Sequence, residues 1–211
     1  MLRRYMRLGI LGPAQGDLPA LARAAQLLLD QAHADKVLYV ADDDALDQVV
    51  AGWAREIVGG DPREGSIFAR AARCASASAE VIHRFVASER ARLQLRVLCT
   101  LPPGRRTIEL LDGRVVLFVF DKATLEEEDV LPASVLVVGK SPSSFIRKAG
   151  SRTFVAPGPI GSQDGGAALL DDGGGGLRIE VMNPKGTVTA RETVGGQLGA
   201  AKMKVQGGSG G

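Results

Sequence analysis

The chain has 211 residues, 45% of them hydrophobic and 24% charged, enough for one domain to bury a full core without disulfides or metals. Its formal net charge is only +2, with Lys and Arg spread along the sequence, so the basic footprint of a nucleic-acid binder is missing. The basic start, Met1 to Arg7, is followed by an apolar run of only Leu8 to Leu11, too short for a signal-peptide core or a membrane span; no membrane insertion and a cytoplasmic location are expected.

In chain order, residues 7–11 read as a short buried strand running into the loop Gly12-Pro13-Ala14-Gln15-Gly16. A helix follows. Asp17 is placed to cap it, Pro19 is tolerated in its first turn, and Leu18, Leu21, Ala25, Leu28 and Leu29 repeat at helical spacing. A second strand, Val37 to Val40, leads into Asp42-Asp43-Asp44 and an amphipathic helix carrying Leu46, Val49, Val50, Trp53 and Ile57. This βαβα opening predicts a parallel sheet whose working loops lie at the strand carboxyl ends, 12–16 and 41–44. Residues 66–96 predict one long helix or two helices broken near Ala75-Ser76-Ala77-Ser78. The texture then turns to strands: 107–111, a turn at Asp112-Gly113, the apolar run 115–120, then 135–138, 153–156, 167–170, 177–182 and 187–194. One domain is expected over 1–194, with the glycine-rich stretch 195–211 as a flexible tail.

Four stretches in this order resemble the motif blocks of calcineurin-like metallophosphoesterases, in particular the small bacterial phosphodiesterase type. The run from Leu8 to Leu21 is similar to apolar-S-D-x-H-G-N-L-x-A-L, and Ala34-Asp35-Lys36-Val37-Leu38-Tyr39-Val40-Ala41-Asp42 to A-D-x-V-x-H-L-G-D. The stretch Val138-Gly139-Lys140-Ser141-Pro142 falls where that family has G-H-T-H, and Val155-Ala156-Pro157-Gly158-Pro159-Ile160-Gly161 where it has V-N-P-G-S-V-G. The resemblance covers roughly residues 7–194. It implies an α/β fold, a metallophosphoesterase-like αββα sandwich of two mixed β-sheets flanked by helices.

The family's chemistry requires two divalent metals about 3.5–4 Å apart that activate a bridging water. By the resemblance, Pro13 and Gln15 stand at the first block's Asp and His positions. Asp42 keeps the bridging Asp, Gly60 and Asp61 stand at the third block's Asn and His positions, Phe120 replaces a strand-end His, and Lys140 and Pro142 replace two more. Neither proline nor a neutral amide substitutes for an anionic or imidazole ligand. The chain contains only two histidines, His33 and His83, both outside the blocks. The resemblance therefore implies a degenerate member with no catalytic residues, no metal and no cofactor. A cleft turned apolar or closed by Pro13, Phe120 and Pro142 is expected to bind a protein partner, in the way that the small subunit of the retromer coat resembles such a phosphoesterase and acts as a scaffold. Two other readings stay open at this point: a single-metal phosphoesterase using Asp42, Asp61, Gln15 and Asp43, and a sensor of a phosphorylated small molecule with Lys140 and Arg147 as anion contacts.

The remaining features read as structural. Asp42, Asp43 and Asp44 precede a helix and are expected to serve as N-caps. Residues 126–129 read as a solvated acidic loop, residues 173–176 as a hairpin connection rather than a phosphate loop, and Cys74 and Cys99, which form no C-x-x-C pair, as reduced packing residues.

Overall fold

The structure, a computed structural model, describes residues 5–195; residues 196–211 of the expected tail lie outside the described residues. Strand β1 (Arg7–Leu11) is buried along most of its length and runs parallel to β2 (Lys36–Tyr39), which runs parallel to β3 (Leu98–Thr100). Between β1 and β2 the chain crosses over through α1 (Leu18–Gln26), continued by a π-helical turn at Leu27–Gln31. Asp17 caps α1 by accepting the Ala20 amide at 2.9 Å, and Leu21, Ala25 and Leu28 face inward with no exposure. Helix α2 (Ala45–Val58) links β2 towards β3 and stops at Gly59, whose left-handed φ of 63° lets its amide reach the Arg55 carbonyl at 2.9 Å. The 66–96 stretch divides into α3 (Ile67–Ala72) and α4 (Ala79–Gln94), with α4 packed on α2.

The second half builds the other sheet and completes the first. Strands β4 (Arg106–Leu111) and β5 (Arg114–Val119) form a hairpin, and β5 runs parallel to β6 (Val135–Val138), itself parallel to β8 (Arg152–Ala156). An unforeseen strand, β7 (Phe145–Ala149), pairs antiparallel with β8 at the sheet edge. Strands β9 (Ala167–Asp171), β10 (Leu177–Met182) and β11 (Val188–Val194) return to the first sheet. The orders are β11-β10-β9-β1-β2-β3 and β4-β5-β6-β8-β7, two mixed sheets. Residues 126–129, expected as a loop, include part of a one-turn helix, α5 (Glu127–Val130), because Asp129 turns back to accept the Glu126 amide at 3.1 Å in a capping box.

The core lies in layers. Leu8, Ile10, Leu38 and Val40 of the first sheet meet Val116, Phe118, Val135, Val137 and Val155 of the second in the sandwich interior. On the outer side of the first sheet, Leu11, Val37, Tyr39 and Leu169 pack under α1 and α2 through Leu21, Leu28 and Leu46. The outer side of the second sheet has a thinner cover, Leu117 and Leu136 against Ala133, Leu125 and Val130 around α5.

Two glycines set how closely the strand ends approach. A Cβ on Gly12, just after β1, would sit 1.8 Å from the Gly158 carbonyl oxygen, and one on Gly139, just after β6, 1.8 Å from the Val40 carbonyl oxygen. Both obstacles are backbone, which cannot rotate away. Gly139→Ala is therefore expected to destabilise the protein by about 3 kcal/mol or more through forced backbone displacement. By contrast, Gly52 lies within α2 with open space around the Cβ position, and Gly52→Ala is expected to stabilise by about 0.5–1 kcal/mol. Urea unfolding midpoints of the two variants check both signs.

Candidate functional site

The glycine contacts gather the carboxyl ends of β1, β2, β5 and β6 at one place. The Val40 amide donates to the Leu11 carbonyl at 2.9 Å, carrying the β1–β2 ladder past its last residues, and the Lys140 amide donates to the Phe120 carbonyl at 2.7 Å, doing the same for β5 and β6. The residues that follow enclose a cleft of about 540 Å³ lined by Pro13, Gln15, Asp42, Asp43, Phe120, Lys140, Ser141 and Pro142. Six of the positions singled out in the sequence thus converge: Pro13, Gln15, Asp42, Phe120, Lys140 and Pro142. The cleft is neither closed nor wholly apolar, contrary to the expectation drawn from Pro13, Phe120 and Pro142, because Gln15, Asp42, Asp43 and Lys140 also reach it.

Local backbone explains the placement. After Pro13 the chain turns through Gln15 at φ 51° and Gly16 at φ 88°, a left-handed pair that swings the Gln15 side chain to the exposed rim. For a residue with a Cβ that conformation is uncommon and is held only by its surroundings. Here the Asp17 amide donates back to the Ala14 carbonyl at 3.0 Å, and the Ile160 amide fixes the Pro13 carbonyl at 2.9 Å.

A group that the sequence reading passed over ties the floor together. Tyr39, fully buried at the end of β2 and standing where the resembling block has His, donates its hydroxyl to Asp43 Oδ1 at 2.8 Å and accepts the Ala14 amide at 3.0 Å. Burial, aided by the carboxylates of Asp43 and Asp44, pushes the Tyr39 hydroxyl well above the usual tyrosine range, so it remains a donor at all ordinary pH. The aspartates divide their tasks. Asp43 Oδ1 also accepts the Ala45 amide at 3.0 Å, whereas Asp44, at the N-cap position of α2, accepts the Gln48 side-chain amide at 2.8 Å instead of a backbone N–H. The capping expected of the aspartate run therefore rests on Asp43.

Lys140 is also engaged. Its Nζ lies 2.5 Å from Asp121 Oδ2, and the ammonium holds the Asp121 carboxyl below the usual carboxylate range. The other positions are elsewhere. Gly60 and Asp61 follow α2 and do not line the cleft. The Asp61 carboxylate accepts from Arg63 Nε at 3.0 Å and Ser66 Oγ at 2.5 Å, and Arg63 first, then Ser66, hold it far below the carboxylate range. Arg147 stacks its guanidinium 5.2 Å from the Phe145 ring centre on the β7 edge and does not join Lys140 in the cleft. His33 and His83 are exposed and also outside it.

Among the described residues no group of three or more His, Cys, Asp or Glu side chains is placed to hold a metal ion. The oxygen-bearing side chains that converge are Asp42, Asp43, Gln15 and Ser141, and Asp43 Oδ1 is already engaged by Tyr39 and Ala45. That set falls short of the donors two divalent cations need.

Two outcomes follow from these contacts. Tyr39→Phe leaves the buried Ala14 N–H without its acceptor and removes a bond to a charged group, so a loss of about 1–3 kcal/mol in unfolding free energy is expected by urea titration. Lys140→Met removes the partner that lowers the Asp121 pKa, so its destabilisation relative to the parent is expected in full above the ordinary carboxylate value of 3.8. It fades as pH falls through the lower folded-state value, where Asp121 is protonated in both proteins. Parallel unfolding curves between neutral and strongly acidic pH check that direction.

No family model matches the chain, and no curated protein matches it. Solved structures do. A predicted phosphoesterase from Streptococcus pneumoniae superposes with a TM-score of 0.51 at 10% identity, over 90% of this chain and 99% of that one. An archaeal phosphodiesterase gives a TM-score of 0.40 at 12% identity over 90% and 100% of the two chains. Vacuolar protein sorting 29 from Cryptosporidium parvum gives 0.48 at 12% identity over 90% and 98%. At 10% identity the likeness to the S. pneumoniae protein speaks for architecture: this chain has a metallophosphoesterase-like α/β fold, two mixed β-sheets flanked by helices.

Proposed function

We propose that this chain is a non-catalytic, cytosolic protein-binding module on a metallophosphoesterase-like fold, with the cleft at the strand carboxyl ends as its binding surface. The observation that carries the reading is the content of that cleft. Proline, glutamine, phenylalanine and lysine side chains stand together where the resembling family gathers metal ligands, and the lysine is neutralised by Asp121. Pro13, Phe120 and Pro142 supply apolar contact with little rotamer entropy to lose, and Gln15 and Asp42 supply a polar rim, the division of labour of a protein interface. The two cysteines are free, and no helix among the described residues is long and apolar enough to cross a membrane. A single-metal phosphoesterase built on Asp42, Asp43, Asp61 and Gln15 draws less support, because Asp61 lies outside the cleft and Asp43 Oδ1 is engaged by Tyr39. A sensor using Lys140 and Arg147 together draws less for the same kind of reason.

The test joins chemistry with binding. Purified protein supplied with Mn²⁺ is expected to show no turnover of phosphomonoester or phosphodiester substrates above that of its Asp42→Ala variant. A protein captured by the chain is expected to lose affinity for Pro142→Glu, a change at an exposed position of the cleft wall, by tenfold or more, about 1.4 kcal/mol. Stoichiometric metal with turnover abolished by Asp42→Ala would overturn the reading.

A further inference from the structure

A second pocket, sharing no residue with the cleft, lies where the end of α2 meets α3 and α4. It has a volume of about 470 Å³, and Arg70, Arg73 and Arg84 line it against a single carboxylate, Glu56. We propose that it binds a small organic phosphomonoester, with the phosphate among the three arginines and the organic group against Ile57, Val81 and Phe85, which form its apolar wall.

The arginine network supplies the reason. Arg70 is only 4% exposed. Its Nε lies 2.7 Å from Glu89 Oε1, and its Nη1 donates to the carbonyls of Asp61 and Arg63. The other Glu89 oxygen is taken by Arg92 Nε at 2.9 Å. One carboxylate thus serves two guanidinium groups, and the buried network retains positive charge. Arg70 Nη2 is buried and has no hydrogen-bond partner among the described residues, although a buried donor without an acceptor is costly, about 1–3 kcal/mol. Core packing alone gives no reason to leave a donor unpaired in a residue that lines a pocket.

The neighbouring charges point the same way. Arg73 makes no ion pair among the described residues, and Arg84 approaches Glu80 only at 3.9 Å, with both side chains mostly exposed. Surface pairs of that kind contribute little and yield readily to a better acceptor. Guanidinium forks match the oxygens of phosphate bidentately, and a phosphomonoester, largely a dianion at neutral pH, balances the excess positive charge better than a carboxylate. Ile57, Val81 and Phe85 explain why a ligand with an apolar body fits better than the bare ion.

Calorimetric titration of the full chain with phenyl phosphate at neutral pH is the test, with inorganic phosphate and benzoate as comparison probes. The expected result is one saturable site for phenyl phosphate, weaker binding of both comparison probes, and a loss of affinity of about tenfold or more in the Arg73→Ala/Arg84→Ala double variant. Both arginines are exposed, so the double variant is expected to keep the parent's circular dichroism spectrum and urea midpoint. Three results would each overturn the proposal: no saturable binding, binding unchanged in the double variant, or benzoate binding as tightly as phenyl phosphate. Because the pocket and the cleft are separate, Pro142→Glu is expected to leave phenyl phosphate affinity unchanged, and a loss there would place the anion in the cleft instead. Failure here leaves the protein-binding reading of the cleft untouched, and turnover in the cleft leaves this site untouched.

Discussion

Two backbone carbonyls leave no room for a side chain at the residue facing each of them, and the geometry of the cleft follows from that constraint. The Val40 carbonyl oxygen lies where a Cβ on Gly139 would be, and the Gly158 carbonyl oxygen where one on Gly12 would be. Each contact joins the end of a strand in one sheet to the end of a strand in the other, so the sandwich is pinched at this edge. Because the chain leaves each glycine at once, the next side chains, Pro13 after Gly12 and Lys140 after Gly139, have no choice but to emerge at the pinch. Position in the fold, more than chemical affinity among these residues, brings them together.

The pinch also explains why the polar groups nearby are internally matched. A buried Tyr39 hydroxyl at the end of β2 needs an acceptor and finds Asp43; the Ala14 amide in the facing loop needs one and finds Tyr39. Lys140, held above the end of β5 by its own amide, falls within reach of Asp121. These pairs satisfy one another locally. The rim, with Gln15 and Asp42, keeps polar capacity directed towards solvent.

Much of the fold is legible in the sequence because its signals are local. The apolar run of β1, the Asp17 cap and the helical spacing from Leu18 onward specify a crossover unit without reference to the rest of the chain. What is not legible depends on distant partners. Strand β3 has three residues and owes its pairing to β2, and β7, with three of its five side chains exposed, owes its pairing to β8. The cleft divides in the same way. Pro13, Gln15, Asp42, Phe120, Lys140 and Pro142 each follow a strand end that the apolar pattern marks, whereas the Lys140–Asp121 pair joins residues 19 positions apart and has no sequence signature. Asp61 illustrates the opposite error: an acidic residue in a loop after a helix resembles a ligand until its neighbours Arg63 and Ser66 are seen to occupy it.

A layered fold separates the residues that hold the sheets together from those that line the cleft. Leu8, Ile10, Val116, Phe118 and Val137 hold the sheets together wholly inside the sandwich, and Gly12 and Gly139 set the approach of the strand ends. None of these residues needs the identity of the side chains beyond the pinch. The side chains beyond the pinch can change at no cost to the core, provided that charges among them find partners, as Lys140 has in Asp121. The buried Arg70 differs, because its charge lies between α3 and α4, where folding itself must accommodate it. Glu89 and two backbone carbonyls do so for two of its nitrogens and not for the third. A donor left over after folding has taken what it requires is the kind of residue that packing does not explain and a ligand would.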